Sequence, residues 1–122
     1  MKEIAANDFF KKFNYLEENH TRFPLIGQWE LTYRCNLKCV MCYTDCFNTP
    51  EAIPKELSTE EIFRIMEEIQ EAGGLSLTLT GGEPLARRDF PEIYRHAAHL
   101  GFLVSIYSNG TLITREIVDL WL

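Results

Sequence analysis

Three short β-rich runs alternate along this chain with segments whose apolar residues recur at helical spacing, and few folds accommodate that order. The β-rich runs cover residues 28–33, 75–80 and 102–107. Helical patterns begin at the candidate N-caps Ser58 and Asp89, and a further one begins at Thr114. Parallel strands need a long crossover connection, which a helix usually supplies. We therefore predict an α/β fold with parallel strands joined by crossover helices.

Local signals indicate where the helices begin. Residues 58–61 read Ser-Thr-Glu-Glu, the form of a capping box in which Ser58 accepts from the backbone near Glu61. Asp89 is predicted to cap the next helix. An extra N-terminal helix is predicted at residues 8–19, where apolar side chains form a stripe along one face.

Each predicted strand is followed directly by a loop with chemically distinctive residues. A cysteine-rich loop follows the first strand, Gly-Gly-Glu-Pro at residues 81–84 follows the second, and Ser-Asn-Gly-Thr at residues 108–111 follows the third. The carboxyl ends of parallel strands are where α/β folds place ligands. The order of motifs therefore predicts a ligand at that edge of the sheet.

The first loop places Cys35, Cys39 and Cys42 in a C-x3-C-x2-C spacing. Three thiolates on one short loop can hold three corners of a [4Fe-4S] cluster and leave the fourth iron free to bind a substrate. Structural zinc is an alternative, because Cys46 offers a fourth thiol, although zinc sites usually combine two ligand pairs separated by a longer stretch. Inert or redox-active thiols are the third interpretation.

The second loop also has two interpretations. Gly81 and Gly82 lack a Cβ and would let the backbone approach a ligand closely. Glu83 adds a carboxylate at the carboxyl end of the strand, and Pro84 fixes the direction in which the chain leaves the loop. A plain turn between a strand and a helix accounts for the same residues.

The third loop contains Asn-Gly, a common turn pair, so a structural role is the simpler explanation. Its location at a strand's carboxyl end makes Ser108 and Asn109 candidates for binding. Tyr107 and Asn109 are placed to reach a shared pocket.

Composition narrows the choice of partners. The formal net charge of −6, from 12 basic and 18 acidic side chains, argues against nucleic acid or an anionic membrane as the main partner. No apolar run approaches the roughly 18 residues that a membrane span needs. We expect a cytoplasmic protein, in which clustered cysteines are more often metal ligands than disulfides.

The remaining polar residues suggest no chemistry. His20, His96 and His99 follow no metal-ligand spacing. Arg87 and Arg88 are predicted to be a solvated loop pair.

In their order and spacing, the cysteine loop, Gly-Gly-Glu-Pro and Ser-Asn-Gly-Thr closely resemble the radical S-adenosylmethionine (radical SAM) superfamily, from about residue 24 to the chain end. Cys-Asn-Leu at residues 35–37 and Thr-Gly-Gly-Glu-Pro-Leu at residues 80–85 look most like the branch that modifies peptides and proteins and often carries a SPASM domain. The implied fold is the N-terminal half of a partial (β/α)6 TIM-like barrel. Residues 1–23 would be a helical extension and residues 24–122 an incomplete core domain.

The resemblance also implies two cofactors. Cys35, Cys39 and Cys42 would bind a [4Fe-4S] cluster, and the backbone at residues 81–83 would hydrogen-bond the methionyl ammonium of S-adenosylmethionine. An electron from the cluster would cleave the sulfonium bond and give a 5′-deoxyadenosyl radical that abstracts hydrogen from a substrate. The family suggests a peptide or protein substrate and an electron donor such as flavodoxin or ferredoxin.

We expect Pro84, Ser108 and Asn109 to line the same cofactor site. Two residues depart from the family pattern. Met41 stands where the family often has an aromatic residue near the adenine, and methionine can pack against a ring in its place. Cys46 lies outside the core motif and is interpreted as a non-ligand.

The length is the larger departure from the family pattern, because the family barrel has six strands and this chain supplies three. We expect a truncated, partial or split form of a longer enzyme, whose missing strands would come from a longer reading frame or a partner chain. A non-catalytic iron–sulfur or zinc module is the alternative.

Overall fold

The computed structural model describes residues 24–44 and 53–122. Strands β1, β2 and β3 comprise Ile26–Glu30, Ser76–Thr80 and Leu103–Ile106. Helices α1, α2 and α3 comprise Thr59–Glu71, Phe90–His99 and Arg115–Trp121. Short 3-10 turns lie at Ile53–Lys55 and Pro84–Ala86. The predicted helix at residues 8–19 and Cys46 lie outside the described residues.

The three strands form one parallel sheet in the order β1-β2-β3. Trp29 aligns with Leu79, which in turn aligns with Ile106. Neighbours in the sheet are consecutive strands, so α1 and α2 are crossover helices between adjacent parallel strands. The predicted α/β class and strand direction are confirmed.

The hydrophobic core combines alternate residues of β2 with one face of α1 and one face of α2. Its buried members include Leu77 and Leu79 from β2, Ile62 and Met66 from α1, and Phe90, Ile93 and Ala97 from α2. The helical members are three or four residues apart, which places them on one face of each helix. Full burial of a large apolar side chain contributes about 1.5–3 kcal/mol, so this core holds α1 and α2 on the sheet.

The start of α1 follows the predicted capping box. The backbone N–H of Glu61 donates to Ser58 Oγ at 3.2 Å, and the backbone N–H of Ser58 donates to Glu61 Oε2 at 2.8 Å. Thr114 caps α3 through its hydroxyl, which accepts from the Ile117 N–H. The predicted capping box and the predicted start of a helix at Thr114 are confirmed.

The start of α2 differs from the prediction. Asp89 occupies the N-cap position, but its side chain makes no capping hydrogen bond. Its carboxylate accepts from Arg87 Nε at 2.9 Å, from Arg87 Nη2 at 2.6 Å and from Thr59 Oγ1 at 2.7 Å. The guanidinium and the hydroxyl compete successfully for the carboxylate, which therefore joins α2 to α1.

The predicted solvation of both loop arginines is wrong for Arg87. Arg88 is exposed, whereas Arg87 is 7% exposed. The Arg87 guanidinium donates to the Leu31 carbonyl at 2.9 Å and to the Leu57 carbonyl at 3.1 Å. Because backbone carbonyls and the Asp89 carboxylate replace water around its donors, the cation is buried without losing its hydrogen bonds.

Within residues 24–44 and 53–122, no helix has the length and apolar character that crossing a membrane requires.

Candidate functional site

The three distinctive loops meet at the carboxyl edge of the sheet. Leu31 still pairs with Thr80, its N–H donating to the Thr80 carbonyl at 2.8 Å, and then the chain leaves β1 toward the cysteine loop. The Gly82 N–H donates to the Thr32 carbonyl at 2.9 Å, and the Glu83 N–H donates to the Arg34 carbonyl at 2.7 Å. The segment before Cys35 is therefore bonded directly to the Gly-Gly-Glu-Pro loop.

Gly81 and Gly82 make this close approach possible. Gly81 has φ +144°, and a Cβ there would lie 2.7 Å from the Thr32 oxygen. A Cβ on Gly82 would overlap the Arg34 carbonyl oxygen and lie 3.0 Å from Cys35 Cβ. The absence of a Cβ, which we predicted to serve a ligand, is required by the protein's own chain.

The Glu83 side chain is fully buried at the centre of the loops. Its Oε1 accepts from the Leu85 N–H at 3.0 Å and from the Ser108 hydroxyl at 2.9 Å. Its Oε2 accepts from the Asn109 N–H at 2.7 Å. Both carboxylate oxygens are thus engaged within the protein, and they tie the loop after β2 to the loop after β3.

Asn109 extends this connection to the cysteine loop. Its side-chain amide donates to Asn36 Oδ1 at 3.0 Å, and the Asn36 amide donates to Thr111 Oγ1 at 2.7 Å. The Thr111 N–H donates to Asn109 Oδ1 at 3.0 Å. The residue next to Cys35 is therefore held by the Ser-Asn-Gly-Thr loop, and the predicted turn role and the predicted proximity to the site both apply.

The three cysteines lie on the loop after β1, and none of them is joined in a disulfide. Cys35 is partly buried, whereas Cys39 and Cys42 are exposed. The Cys42 N–H donates to the Cys39 carbonyl at 3.1 Å, which places these two residues in one turn. Three cysteine thiols on one loop are the donor chemistry that an iron–sulfur cluster needs. Among the residues described, no group of three cysteine, histidine or acidic side chains is arranged to hold a metal ion.

Two other predicted site residues have contrasting environments. Met41 is 94% exposed on the cysteine loop beside the exposed Val40 and Tyr43. Pro84 is buried and begins the 3-10 turn that directs the chain toward α2. The structure brings Gly82, Glu83, Ser108 and Asn109 together beside Cys35, and leaves Met41 on the outer surface of the loop.

Glu56 is a residue of this region that none of the sequence motifs indicated. The Glu56 side chain is 6% exposed. Its Oε1 accepts from Thr32 Oγ1 at 2.7 Å and from the Tyr33 N–H at 2.8 Å, and its Oε2 pairs with Arg34 Nη2 at 3.1 Å. The one local signal was its place two residues before the capping serine, which does not reveal partners more than twenty residues away.

Comparison with known proteins identifies the family. The sequence matches the radical SAM superfamily over residues 29–122. The chain belongs to the radical SAM superfamily. Members of this superfamily are enzymes that bind a [4Fe-4S] cluster and S-adenosylmethionine.

The curated relatives include a heme synthase and a peptide cyclase. The AdoMet-dependent heme synthase of Methanosarcina barkeri (strain Fusaro / DSM 804) is 41% identical over 99 residues, which cover 81% of this chain and 28% of that protein. The PqqA peptide cyclase of Bradyrhizobium diazoefficiens is 35% identical over 96 residues, covering 76% of this chain and 24% of that protein. The chain spans about a quarter of the length of these curated relatives.

Solved radical SAM structures share the fold. Streptococcus suis SuiB bound to S-adenosylmethionine matches 98% of this chain and 27% of its own, with a TM-score of 0.67 and 22% identity. SuiB bound to its precursor peptide SuiA matches 98% of this chain and 28% of its own, with a TM-score of 0.71. These matches confirm the predicted fold, part of a TIM-like barrel. The family match and the relationship to the peptide cyclase confirm the resemblance to the SPASM-type branch.

Proposed function

We propose that residues 24–122 form the part of a radical SAM enzyme that holds the [4Fe-4S] cluster and the methionyl end of S-adenosylmethionine. Cys35, Cys39 and Cys42 would be the cluster ligands, as their spacing on one loop suggests. The direct bonding of the segment before Cys35 to Gly82 and Glu83 is the observation that carries the proposal. It holds the two cofactor-binding loops against each other.

When bound, the cluster and S-adenosylmethionine would supply reductive cleavage of the sulfonium C–S bond and, from the radical so formed, hydrogen abstraction from a substrate. The chain's own residues position them. The N–H groups of Gly82 and Glu83 already donate to the protein, so the backbone carbonyls of this loop are the groups that would accept from the methionyl ammonium. Glu83 orients that backbone through its buried carboxylate, with Ser108 and Asn109 as its donors.

Met41 is proposed to contact the adenine. Its exposed side chain lies on the same loop as the three thiols, and its flexible thioether can pack on a ring face. Cys46 is proposed to be a non-ligand.

A peptide or protein is the substrate class that we propose. The relationship to PqqA peptide cyclase and the fold shared with the SuiB–SuiA complex support it. A porphyrin is the second candidate, because an AdoMet-dependent heme synthase and an Fe-coproporphyrin III synthase are each 41% identical to this chain over the matched residues. The proposal includes a cytoplasmic location, an electron donor such as flavodoxin or ferredoxin, and further barrel strands from a longer chain or a partner.

Anaerobic reconstitution with iron and sulfide tests the function. We expect a four-iron spectrum whose electron paramagnetic resonance (EPR) signal, after reduction, changes when S-adenosylmethionine is added. Alanine at Cys35, Cys39 or Cys42 should abolish cluster binding, because three thiolates are the minimum set. Cys46→Ala is the matched control and should keep the cluster.

Tight stoichiometric zinc without cluster formation would instead favour the non-catalytic module, and loss of the cluster in Cys46→Ala would show that the ligand set is wrong. In the same reactions, 5′-deoxyadenosine formed faster with a peptide than with Fe-coproporphyrin III supports the peptide class. The reverse order supports the porphyrin.

A further inference from the structure

One buried carboxylate holds three consecutive residues before the first cysteine. Glu56 accepts from the Thr32 hydroxyl and the Tyr33 N–H and pairs with the Arg34 guanidinium. The Thr32 hydroxyl oxygen also accepts from the Arg34 N–H at 3.0 Å. One side chain, from the segment just before α1, therefore contacts each of residues 32–34.

The same three residues are bonded on their other side to the Gly-Gly-Glu-Pro loop. The carbonyls of Thr32 and Arg34 accept from the N–H groups of Gly82 and Glu83. The segment thus lies between the Glu56 carboxylate and the loop proposed to bind S-adenosylmethionine. Cys35 is the next residue along the chain.

Both the burial and the charge of Glu56 suit a positioning role. Hydrogen bonds to an ionised group are shorter and stronger than neutral ones, and three donors on a side chain that is 6% exposed leave little freedom. A displacement of about 1 Å can cost a reaction about a hundredfold in rate. A buried carboxylate that fixes the position of Cys35 relative to Gly82 would therefore affect the reaction rate.

We propose that Glu56 is a positioning residue that sets the location of Cys35, and with it the cluster, relative to the S-adenosylmethionine-binding backbone of Gly82 and Glu83. This inference rests on the proposed function and adds to it a residue outside the three motifs. Glu56 would act through the three residues that its carboxylate contacts, Thr32, Tyr33 and Arg34.

Two variants and one control test the proposal in the anaerobically reconstituted full chain. Glu56→Ala removes all three contacts, whereas Glu56→Gln retains an oxygen acceptor for Thr32 and Tyr33 but loses the charge opposite Arg34. Glu60→Gln alters an exposed acid in the first turn of α1. The measurements are bound iron and sulfide, the EPR change on titration with S-adenosylmethionine, and the unfolding free energy of the metal-free protein.

We expect Glu56→Ala to bind S-adenosylmethionine about tenfold more weakly than wild type per loaded cluster, as loss of charge-assisted contacts implies. The affinity of Glu56→Gln for S-adenosylmethionine should fall between those of wild type and Glu56→Ala. The affinity of Glu60→Gln should match that of wild type. If Glu56→Ala fails to fold, the same comparison is decided by Glu56→Gln.

Glu56 variants could be less stable yet bind S-adenosylmethionine as tightly as wild type, with the same EPR change. That result would show that Glu56 only stabilises the fold, and it would overturn the inference. The proposed function fails differently. In that case wild-type protein itself forms no cluster, or forms one whose spectrum ignores S-adenosylmethionine.

Discussion

Gly82 shows how tightly a single position constrains this site. Its missing Cβ leaves room for the Arg34 carbonyl, to which the Glu83 N–H donates at 2.7 Å. The residue thereby fixes how closely the second loop approaches the segment before Cys35. A side chain of any size would separate the two loops.

Gly82→Ala should move the Arg34–Cys35 peptide, because the new Cβ would overlap the Arg34 oxygen and lie 2.8 Å from the Arg34 carbonyl carbon. Overpacking of this kind costs about 1–3 kcal/mol. We expect that loss in urea unfolding of the metal-free protein, together with a lower iron content after reconstitution.

Gly27→Ala is the matched control for that substitution. A Cβ at Gly27 would meet the end of the flexible Leu77 side chain at 3.3 Å, so we expect a change below about 1 kcal/mol. Equal effects of the two substitutions on iron content would contradict the role given to Gly82.

At the scale of elements, Arg87 and Asp89 join parts that periodicity treats as separate. The Arg87 guanidinium reaches the end of β1 at Leu31 and the segment before α1 at Leu57. Asp89, at the start of α2, accepts from Arg87 and from Thr59 at the start of α1. Arg87 and Asp89 therefore hold the starts of α1 and α2 against Leu31, where the chain leaves β1 toward the cysteine loop.

Asp89 gives this junction a pH dependence. The hydrogen bond from Arg87 lowers the pKa of Asp89 from 3.8 to about 2; partial burial opposes the shift, and the Thr59 hydrogen bond adds to it. Since the folded-state pKa lies below the unfolded one, the stabilisation is complete above about pH 4 and is lost as the pH falls through 2. For a carboxylate that is 24% exposed, it amounts to roughly 1–2 kcal/mol.

We expect Asp89→Asn to be less stable than wild type at pH 7, because the buried Arg87 loses its counter-charge. The difference should narrow by roughly 1–2 kcal/mol between pH 4 and pH 2 in urea unfolding of the metal-free protein. Asp119→Asn removes an exposed pair with Arg115 and should cost less than about 0.5 kcal/mol at every pH. A constant gap between wild type and Asp89→Asn would contradict the lowered pKa.

At the scale of the whole molecule, Glu83 connects the loops after all three strands. The Glu83 carboxylate accepts from Ser108 and Asn109, and the Glu83 N–H donates to the Arg34 carbonyl. The Asn109 amide in turn donates to Asn36. The cysteine loop and the loop after β3 belong to distant parts of the sequence, and this one buried acid makes them a single site.

Glu83→Gln should cost about 1–3 kcal/mol, because the amide nitrogen cannot accept from donors that the carboxylate satisfied. Glu83→Ala should cost more, since it leaves all three donors unpaired. Urea unfolding measures the loss, and amide hydrogen exchange should become faster at Asn109. Glu71→Gln, at an exposed acid of α1, should stay within about 0.5 kcal/mol of wild type. Unchanged exchange at Asn109 in Glu83→Gln would contradict the connecting role.

Local sequence signals predicted a large part of this fold. The capping box at Ser58, the start of a helix at Thr114 and the order of strands and helices are confirmed, because each depends on residues within a few positions of one another. The first strand was predicted at residues 28–33, whereas β1 ends at Glu30. Thr32 and the residues after it leave the sheet to bond with Gly82, Glu83 and Glu56, which β propensity cannot register.

The amino-acid sequence by itself determined the family, the parallel α/β order and the three loops that carry the chemistry, since those depend on residue type, short spacing and order along the chain. The tertiary structure decided the roles of Glu56, Arg87 and Glu83. Arg87 and Leu31 are 56 residues apart in sequence, and Glu83 and Asn109 are 26 apart. Such partners meet only when the strands have paired in register, so the cysteine loop is located in space by polar residues that its own motif does not contain.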